Sequence, residues 1–217
     1  MTDNFDIFRK YIAQGGITEN STGSDKVVKI QLLRRGKDNV NLPAKNYSFK
    51  TYYIDSIEKY DKSIDEIREC CCMFGLRAYI SVNIKSKKDV QMESLKLISS
   101  YVYDGNCQKP WGIIDRSYDL ARCNDKRWVI DIDAQEDIDL ASYVEDISTV
   151  IETCKSSHDK NIICGAPSKS GYHLITYPFD VCEFEKRMEI LQADKWKYSA
   201  DIPEIKKNGL SILFEDI

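Results

Sequence analysis

The feature that most constrains this sequence is a pair of aspartates inside an apolar run, in the stretch RWVIDIDAQED at residues 127–137. The alternation predicts a β-strand with Asp131 and Asp133 on one face and isoleucines on the other. Two like charges on one face repel, and a divalent cation such as Mg²⁺ or Mn²⁺ removes that repulsion. A simpler interpretation places Asp131 at a wet strand end and Asp133 at a helix cap. For a DxD pair taken alone, the simpler interpretation is favoured.

Composition restricts the partners of the chain. Its 217 residues suit one sizeable core, so we expect a single domain. The formal net charge of -4 excludes a uniformly basic surface for nucleic acid, but it leaves room for a local basic groove. Basic residues cluster between Lys26 and Lys37 and again between Lys85 and Lys88. Either cluster alone is typical of an ordinary solvated edge.

The sequence also predicts a cellular compartment. No apolar run approaches the roughly 18 residues that a membrane span needs, so no membrane partner is expected. The N-terminal stretch has early acidic residues and no export signal, which predicts a cytoplasmic protein, in the host cytoplasm if the source is viral. The eight cysteines are therefore expected to be free thiols.

Hydrophobic periodicity predicts strands that alternate with helices and include hairpins. This pattern indicates an α/β or α+β fold, with a mixed β-sheet flanked by helices. Residues 107–126 lack periodicity and are expected to form a surface excursion of short helical pieces. The predicted helices cover residues 4–14, 56–73, 87–105, 138–155 and 182–193. The predicted strands cover residues 27–35, 45–54, 77–84, 127–133, 161–166, 171–179, 197–202 and 210–217.

A second chemically informative segment is APSKSGYHLITYPF, which joins a turn to a strand. Lys169, Ser170 and the backbone N–H groups around Gly171 form a candidate phosphate-binding nest at the mouth of that strand. His173 would point out of the sheet beside them. A histidine packed between Tyr172 and Leu174 is an equally good interpretation of this segment alone.

Taken in order, these segments resemble the motifs of the archaeo-eukaryotic primase superfamily, which includes the primase-polymerases. The acid pair at residues 131–133 resembles the first motif, and the turn and strand that carry His173 resemble the second. The stretch KYSADIPEIKKNGLSILF resembles the third motif, with Asp201 as its acid. RAYISVN at residues 77–83 is similar to the strand ahead of the first motif in phage-encoded primase-like proteins.

The resemblance implies a primase-polymerase-like catalytic core at residues 76–217, preceded by a helix, hairpin and helix subregion at residues 1–75. It implies that Asp131, Asp133 and Asp201 are catalytic and hold two divalent metals, Mg²⁺ or Mn²⁺. His173, Ser170 and Lys169 would bind the phosphates of a nucleoside triphosphate. The expected template is single-stranded DNA, contacted by basic residues near 34–37 or 85–88, and a separate helicase would be a further partner.

Two departures from the family pattern keep other functions open. Gly171 stands where the family's SxH motif has serine, and Ile212 stands where the last strand often has a basic residue. The primary hypothesis is a template-directed nucleotidyltransferase that makes or extends primers. The alternative is a catalytically silent descendant of the same fold that binds nucleic acid or nucleotide as a replication accessory protein. A metal-dependent nuclease that uses the same acids is a third possibility.

Overall fold

The computed structural model describes residues 1–36, 46–105, 112–134, 139–194 and 202–216. The helices are α1 (Phe5–Gln14), α2 (Ile57–Phe74), α3 (Lys87–Tyr103), α4 (Ile113–Leu120), α5 (Leu140–Thr153) and α6 (Val181–Asp194). The strands are β1 (Thr2–Asp3), β2 (Lys26–Arg34), β3 (Tyr47–Ile54), β4 (Arg77–Ser81), β5 (Lys85–Ser86), β6 (Trp128–Asp133), β7 (Ile162–Ser168), β8 (Gly171–Thr176), β9 (Glu204–Lys206) and β10 (Leu210–Glu215).

Helix α2 illustrates how local sequence sets the ends of an element. The Ser56 hydroxyl accepts a hydrogen bond from the backbone N–H of Lys59 and so caps the first turn. Gly75 ends the helix in the left-handed conformation, at a φ of 59°, which costs glycine little because it lacks a Cβ. Both ends agree with the sequence prediction to within one residue, since the helix was expected over 56–73.

The strands form two antiparallel sheets. In the first sheet the order is β1-β10-β4-β2-β3, and β5 pairs with β2 outside this path. Helices α1 and α2 contribute Phe5, Tyr11 and Ile57 to the core cluster that also contains the β-strand residues Ile30 and Ile80. This sheet combines strands from residues 1–75 with β4, β5 and β10 from the rest of the chain.

The second sheet has the order β7-β8-β6-β9. Its elements follow one another as β6-α5-β7-β8-α6-β9, the β-α-β-β-α-β sequence of ferredoxin-like folds. One face carries Ile130 and Ile132, which pack with Ile147 of α5 and Phe184 of α6. The opposite face carries the residues of β6 at odd positions, so the acid pair lies away from both helices, as the alternation predicted.

Polar contacts join the two sheets. The buried Asn4 amide nitrogen donates to the carbonyl of Pro167 on β7 at 2.9 Å and to that of Ile212 on β10 at 3.0 Å. Val129 and Ile175 of the second sheet belong to the core cluster of the first sheet. These contacts fix the second sheet beside β10. A cleft remains next to the polar part of the second sheet's face.

The observed architecture confirms the α+β class and corrects two details of the prediction. The expected single mixed sheet is wrong, because every strand pairing in the described parts of the chain is antiparallel and the strands form two sheets. The described part of the predicted surface excursion, residues 112–126, is more than an excursion, since Tyr118 of α4 is fully buried in a cluster with Val27 and Val90. The strand expected at 197–202 lies almost entirely outside the described residues.

Two further sequence expectations concern membrane-spanning helices and the state of the cysteines. No helix in the described ranges combines the length and apolar character needed to cross a bilayer. The cysteines within those ranges are all free thiols, in agreement with the expectation, while Cys107 lies outside them.

Candidate functional site

A cleft of about 870 Å³ opens where the polar face of the second sheet meets the first sheet. The second sheet contributes residues from β6, β8, β9 and the turn between β7 and β8, and the first contributes residues from β2, β4 and β10. Five of the six site residues predicted from the sequence line this cleft: Asp131, Asp133, Lys169, Ser170 and His173. Segments distant in the chain thus converge on one concave surface.

The two carboxylates of β6 occupy different environments in the cleft. Asp133 is exposed at the end of the strand and has no hydrogen-bond or ion-pair partner among the described residues. The side chain of Asp131 is only 20% exposed, and both of its oxygens are bonded. Its Oδ1 lies 3.1 Å from Nε2 of His173, and its Oδ2 accepts from the ammonium group of Lys206.

His173 lies on the cleft face of β8, directly opposite Asp131 in the strand register. Its second ring nitrogen, Nδ1, lies 2.9 Å from the hydroxyl of Ser211 on β10. With Nε2 donating to Asp131, Nδ1 is free to accept from Ser211. The histidine therefore links the two sheets and lines the cleft, whereas Leu174 lies on the opposite, helix-covered face.

The turn between β7 and β8 consists of Lys169 and Ser170, both exposed at the mouth of the cleft. Its position is held by a hydrogen bond from the backbone N–H of Ala134 to the carbonyl of Ser170 at 2.6 Å. The predicted nest around Gly171 is wrong, because Gly171 is a strand residue paired with Asp133 and has no positive φ. The turn itself remains the candidate site for an anion.

Gly171 is required by the close approach of β8 to β6. A Cβ at this position would lie 1.9 Å from the carbonyl oxygen of Ile132. A serine in the position that the primase motif favours would therefore clash with the backbone of the acid strand. Glycine at position 171 therefore has a steric cause.

Cationic side chains also line the cleft. Arg35 and Arg77 come from the first sheet, and Lys206 comes from β9. Ile212 also lines the cleft. It occupies the position where the primase motif often has a basic residue. The two arginines that line the cleft lie instead after β2 and on β4.

The electrostatic setting of Asp131 is strongly perturbed. The hydrogen bond from His173, helped by that from Lys206, holds the pKa of Asp131 far below its usual range, against the opposing effect of burial. Burial acts to lower the pKa of Lys206, but the hydrogen bond and charge of Asp131 outweigh it and raise that pKa. Both groups are therefore charged at neutral pH.

This arrangement predicts how Asp131 contributes to stability as pH changes. A depressed carboxyl pKa stabilises the fold above the unfolded value of about 3.9, and the contribution disappears as the pH falls through the folded value. The difference in unfolding free energy between the wild type and Asp131→Asn should therefore be largest at pH 7 and shrink below about pH 4. Urea denaturation at several pH values measures it. Asp133→Asn, which removes an exposed carboxylate without a partner, should change stability little at any of them.

Other predicted contacts are placed elsewhere or lie outside the described residues. Asp201, the expected third acid, falls within 195–201, which the structure does not describe. Lys85 is buried, and its ammonium group donates to the carbonyls of Tyr118 and Asp119 at the end of α4. Lys85 therefore cannot contact a template backbone. Among the described residues of the two predicted basic regions, only Arg35 lines the cleft, and Lys37 lies outside the described ranges.

The metal expected from the resemblance can be tested against the residues present. In the part of the chain that the structure describes, no group of three or more His, Cys, Asp or Glu side chains could hold a metal ion. Asp133 is open to a ligand, but each oxygen of Asp131 already has a donor. The described residues do not fit a divalent metal in this arrangement, because an ammonium group occupies the carboxylate.

Sequence reasoning missed several residues of the cleft. Lys206 and Glu204 lie on the short strand β9, and Arg77 and Ser211 lie on β4 and β10. The three residues Glu204, Ile205 and Lys206 alternate polar, apolar, polar, but so short a run is not a recognisable strand signal. No local pattern indicated Ser211, since its role depends on the contact between the two sheets.

Comparisons of this chain with family models, with curated proteins and with solved structures found no match. The functional argument therefore depends on the chemistry of the cleft.

Proposed function

We propose that the cleft binds a nucleoside triphosphate and that the protein is a primase-polymerase-type nucleotidyltransferase, which makes or extends primers on single-stranded DNA. The observation that carries the proposal is the convergence of Asp131, Asp133, His173 and the Lys169–Ser170 turn on one cleft between two sheets. The resemblance to primase motifs selected these residues from the sequence alone. Chance placement of separate segments would not be expected to bring them together.

The reaction makes particular demands on the cleft. The 3′-oxygen of the primer bonds to the α-phosphorus of the nucleotide, the bond from that phosphorus to the bridging oxygen breaks, and pyrophosphate leaves. Charge on the phosphates calls for fixed donors, and Lys169 and Ser170 at the rim supply an ammonium group and a hydroxyl. Arg35 adds a cationic group on the opposite wall. Since the described residues do not fit a divalent metal as they stand, a proposed cofactor of Mg²⁺ or Mn²⁺ requires Lys206 to release the carboxylate of Asp131.

A second candidate function is binding without catalysis, as a replication accessory protein. One specific observation favours it: Lys206 and His173 already satisfy the carboxylate of Asp131, which the catalytic hypothesis needs as a ligand. The same cations and the same turn would serve to bind a nucleotide or a nucleic-acid backbone. The two functions therefore differ in what Asp131 and Asp133 contribute.

Primer extension and de novo synthesis on single-stranded DNA, with Mg²⁺ or Mn²⁺ and all nucleotides, separate these functions. Nucleotidyl transfer predicts product with the wild type and a loss of at least about 100-fold with Asp131→Ala/Asp133→Ala, because the carboxylates would be metal ligands, and removing one interaction that stabilises transition-state charge typically costs about that much. The matched control is Asp65→Ala/Glu69→Ala, which removes two exposed carboxylates from α2. It should retain full activity.

Binding measurements on the same proteins decide the remaining outcomes. If no product forms while wild type and Asp131→Ala/Asp133→Ala bind template and nucleotide equally, catalysis is excluded and the accessory function is supported. Cleavage of the template without nucleotide would indicate a nuclease. Whether the protein is a polymerase or an accessory protein, its affinity for the template should fall steeply as the salt concentration rises, because contacts with phosphates release counterions.

A further inference from the structure

We propose that Lys206 is an internal counter-cation that occupies the carboxylate of Asp131 and competes with divalent cations for it. The inference concerns a residue that the sequence motifs did not select. It rests on the proposed function only in taking Asp131 as a metal ligand. The observations that carry it are the contacts of Lys206 and its position in the strand register.

The register explains why Lys206 reaches Asp131. On the neighbouring strand β9, Glu204 lies directly opposite Asp131, and Lys206 lies opposite Val129. Lys206 is thus the diagonal neighbour of Asp131 on the same face, a separation that a long side chain can bridge. Two carboxylates directly opposite each other would repel, and the ammonium group bonds Asp131 and lies 3.3 Å from Glu204.

Partial burial makes this contact stronger than an ordinary surface ion pair. The side chain of Asp131 is 20% exposed and that of Lys206 is 36% exposed. His173 donates to the other oxygen of the carboxylate and is itself held by Ser211, so the carboxylate has a fixed orientation. A carboxylate that is already neutralised and oriented gains less from a cation in solution than a free one does.

A divalent cation at Asp131 must therefore displace the ammonium group. Both cations bind the same oxygen lone pairs, so the affinity for the metal is reduced by the free energy needed to break the ion pair. The ion pair thus explains why the described residues do not fit a divalent metal as they stand.

Titration of the protein with Mn²⁺ alone, followed by electron paramagnetic resonance of the free ion, tests the competition. Lys206→Met should bind Mn²⁺ at least tenfold more tightly than the wild type. Asp131→Asn introduced into Lys206→Met should abolish that gain, because the gain belongs to this carboxylate. Lys206→Arg, which keeps the charge, should behave like the wild type.

Lys207→Met is the matched control, since it removes the same charge from the adjacent position. Its ammonium group lies 5.4 Å from the centre of the Trp128 ring, on the opposite face of the sheet, so Mn²⁺ affinity should not change. Equal Mn²⁺ affinity of the wild type and Lys206→Met, with Lys206→Gln giving the same result, would overturn the proposal. A gain shared by Lys207→Met would also overturn it, because it would reflect net charge alone.

The titration contains no nucleotide or template, so its outcome is independent of polymerase activity. A gain in Lys206→Met together with no primer extension by the wild type would support the competition and reject the proposed catalysis. Primer extension by the wild type, without a gain in Mn²⁺ affinity in Lys206→Met, would support the proposed catalysis and reject the competition.

Discussion

Gly171→Ser should lower the free energy of unfolding by roughly 2–4 kcal/mol, as expected for a clash that a close-packed interior cannot absorb. The added Cβ would lie 1.9 Å from the carbonyl oxygen of Ile132 and 3.0 Å from the Cα of Asp133. Both atoms belong to the backbone of β6, so no side-chain rotation relieves the contact. Strands β6 and β8 must separate, and the opposition of Asp131 to His173 is lost with them.

Urea denaturation measures this loss, and Gly112→Ser is its control. A Cβ at Gly112 would meet no atom within 4 Å, and Gly112 is the N-cap of α4, where serine is favoured at least as much as glycine, so the substitution should not lower stability. A Gly171→Ser protein as stable as the wild type would contradict the steric account of the departure from the primase motif. The serine of that motif would then be compatible with this backbone.

Arg77→Met is expected to destabilise the protein by about 3 kcal/mol or more, because it leaves a buried carboxylate without its charge partner. The guanidinium of Arg77 lies 3.2 Å from Glu215, and the two side chains are 13% and 2% exposed. Register places them directly opposite each other on β4 and β10. Much of the cost should disappear in Arg77→Met/Glu215→Gln, where no charge remains buried.

The control for the ion pair at Arg77 is an exposed ion pair of the same type. Arg9 and Asp61 form two hydrogen bonds of 2.9 Å, but their side chains are 43% and 41% exposed. Arg9→Met should therefore cost less than about 1 kcal/mol, since solvent screens the pair. Similar losses for Arg9→Met and Arg77→Met in chemical denaturation would show that burial at Glu215 has no special importance.

Local patterns in the sequence were sufficient for most helices and strands. Helices α1 and α2 were predicted from their hydrophobic periodicity, and the predicted face of α1, with Phe5, Phe8, Tyr11 and Ile12, is buried. The alternation in β6 placed isoleucines on one face and aspartates on the other. These features depend on residues that lie within one helical turn or one strand of each other, so they can be recognised from the sequence alone. The strand β9 was missed because three residues are too few for a period to be recognised.

The sequence by itself determined which groups could take part in a site, namely the acid pair of β6, the Lys169–Ser170 turn and His173. Only the tertiary structure decided how they are paired. Strand register brought Lys206 to Asp131, and the junction of the two sheets brought Ser211 to His173. It also buried Lys85, which the sequence could not separate from an exposed basic cluster. Such contacts join residues far apart in the chain, and they depend on the packing of whole sheets, which no local pattern encodes.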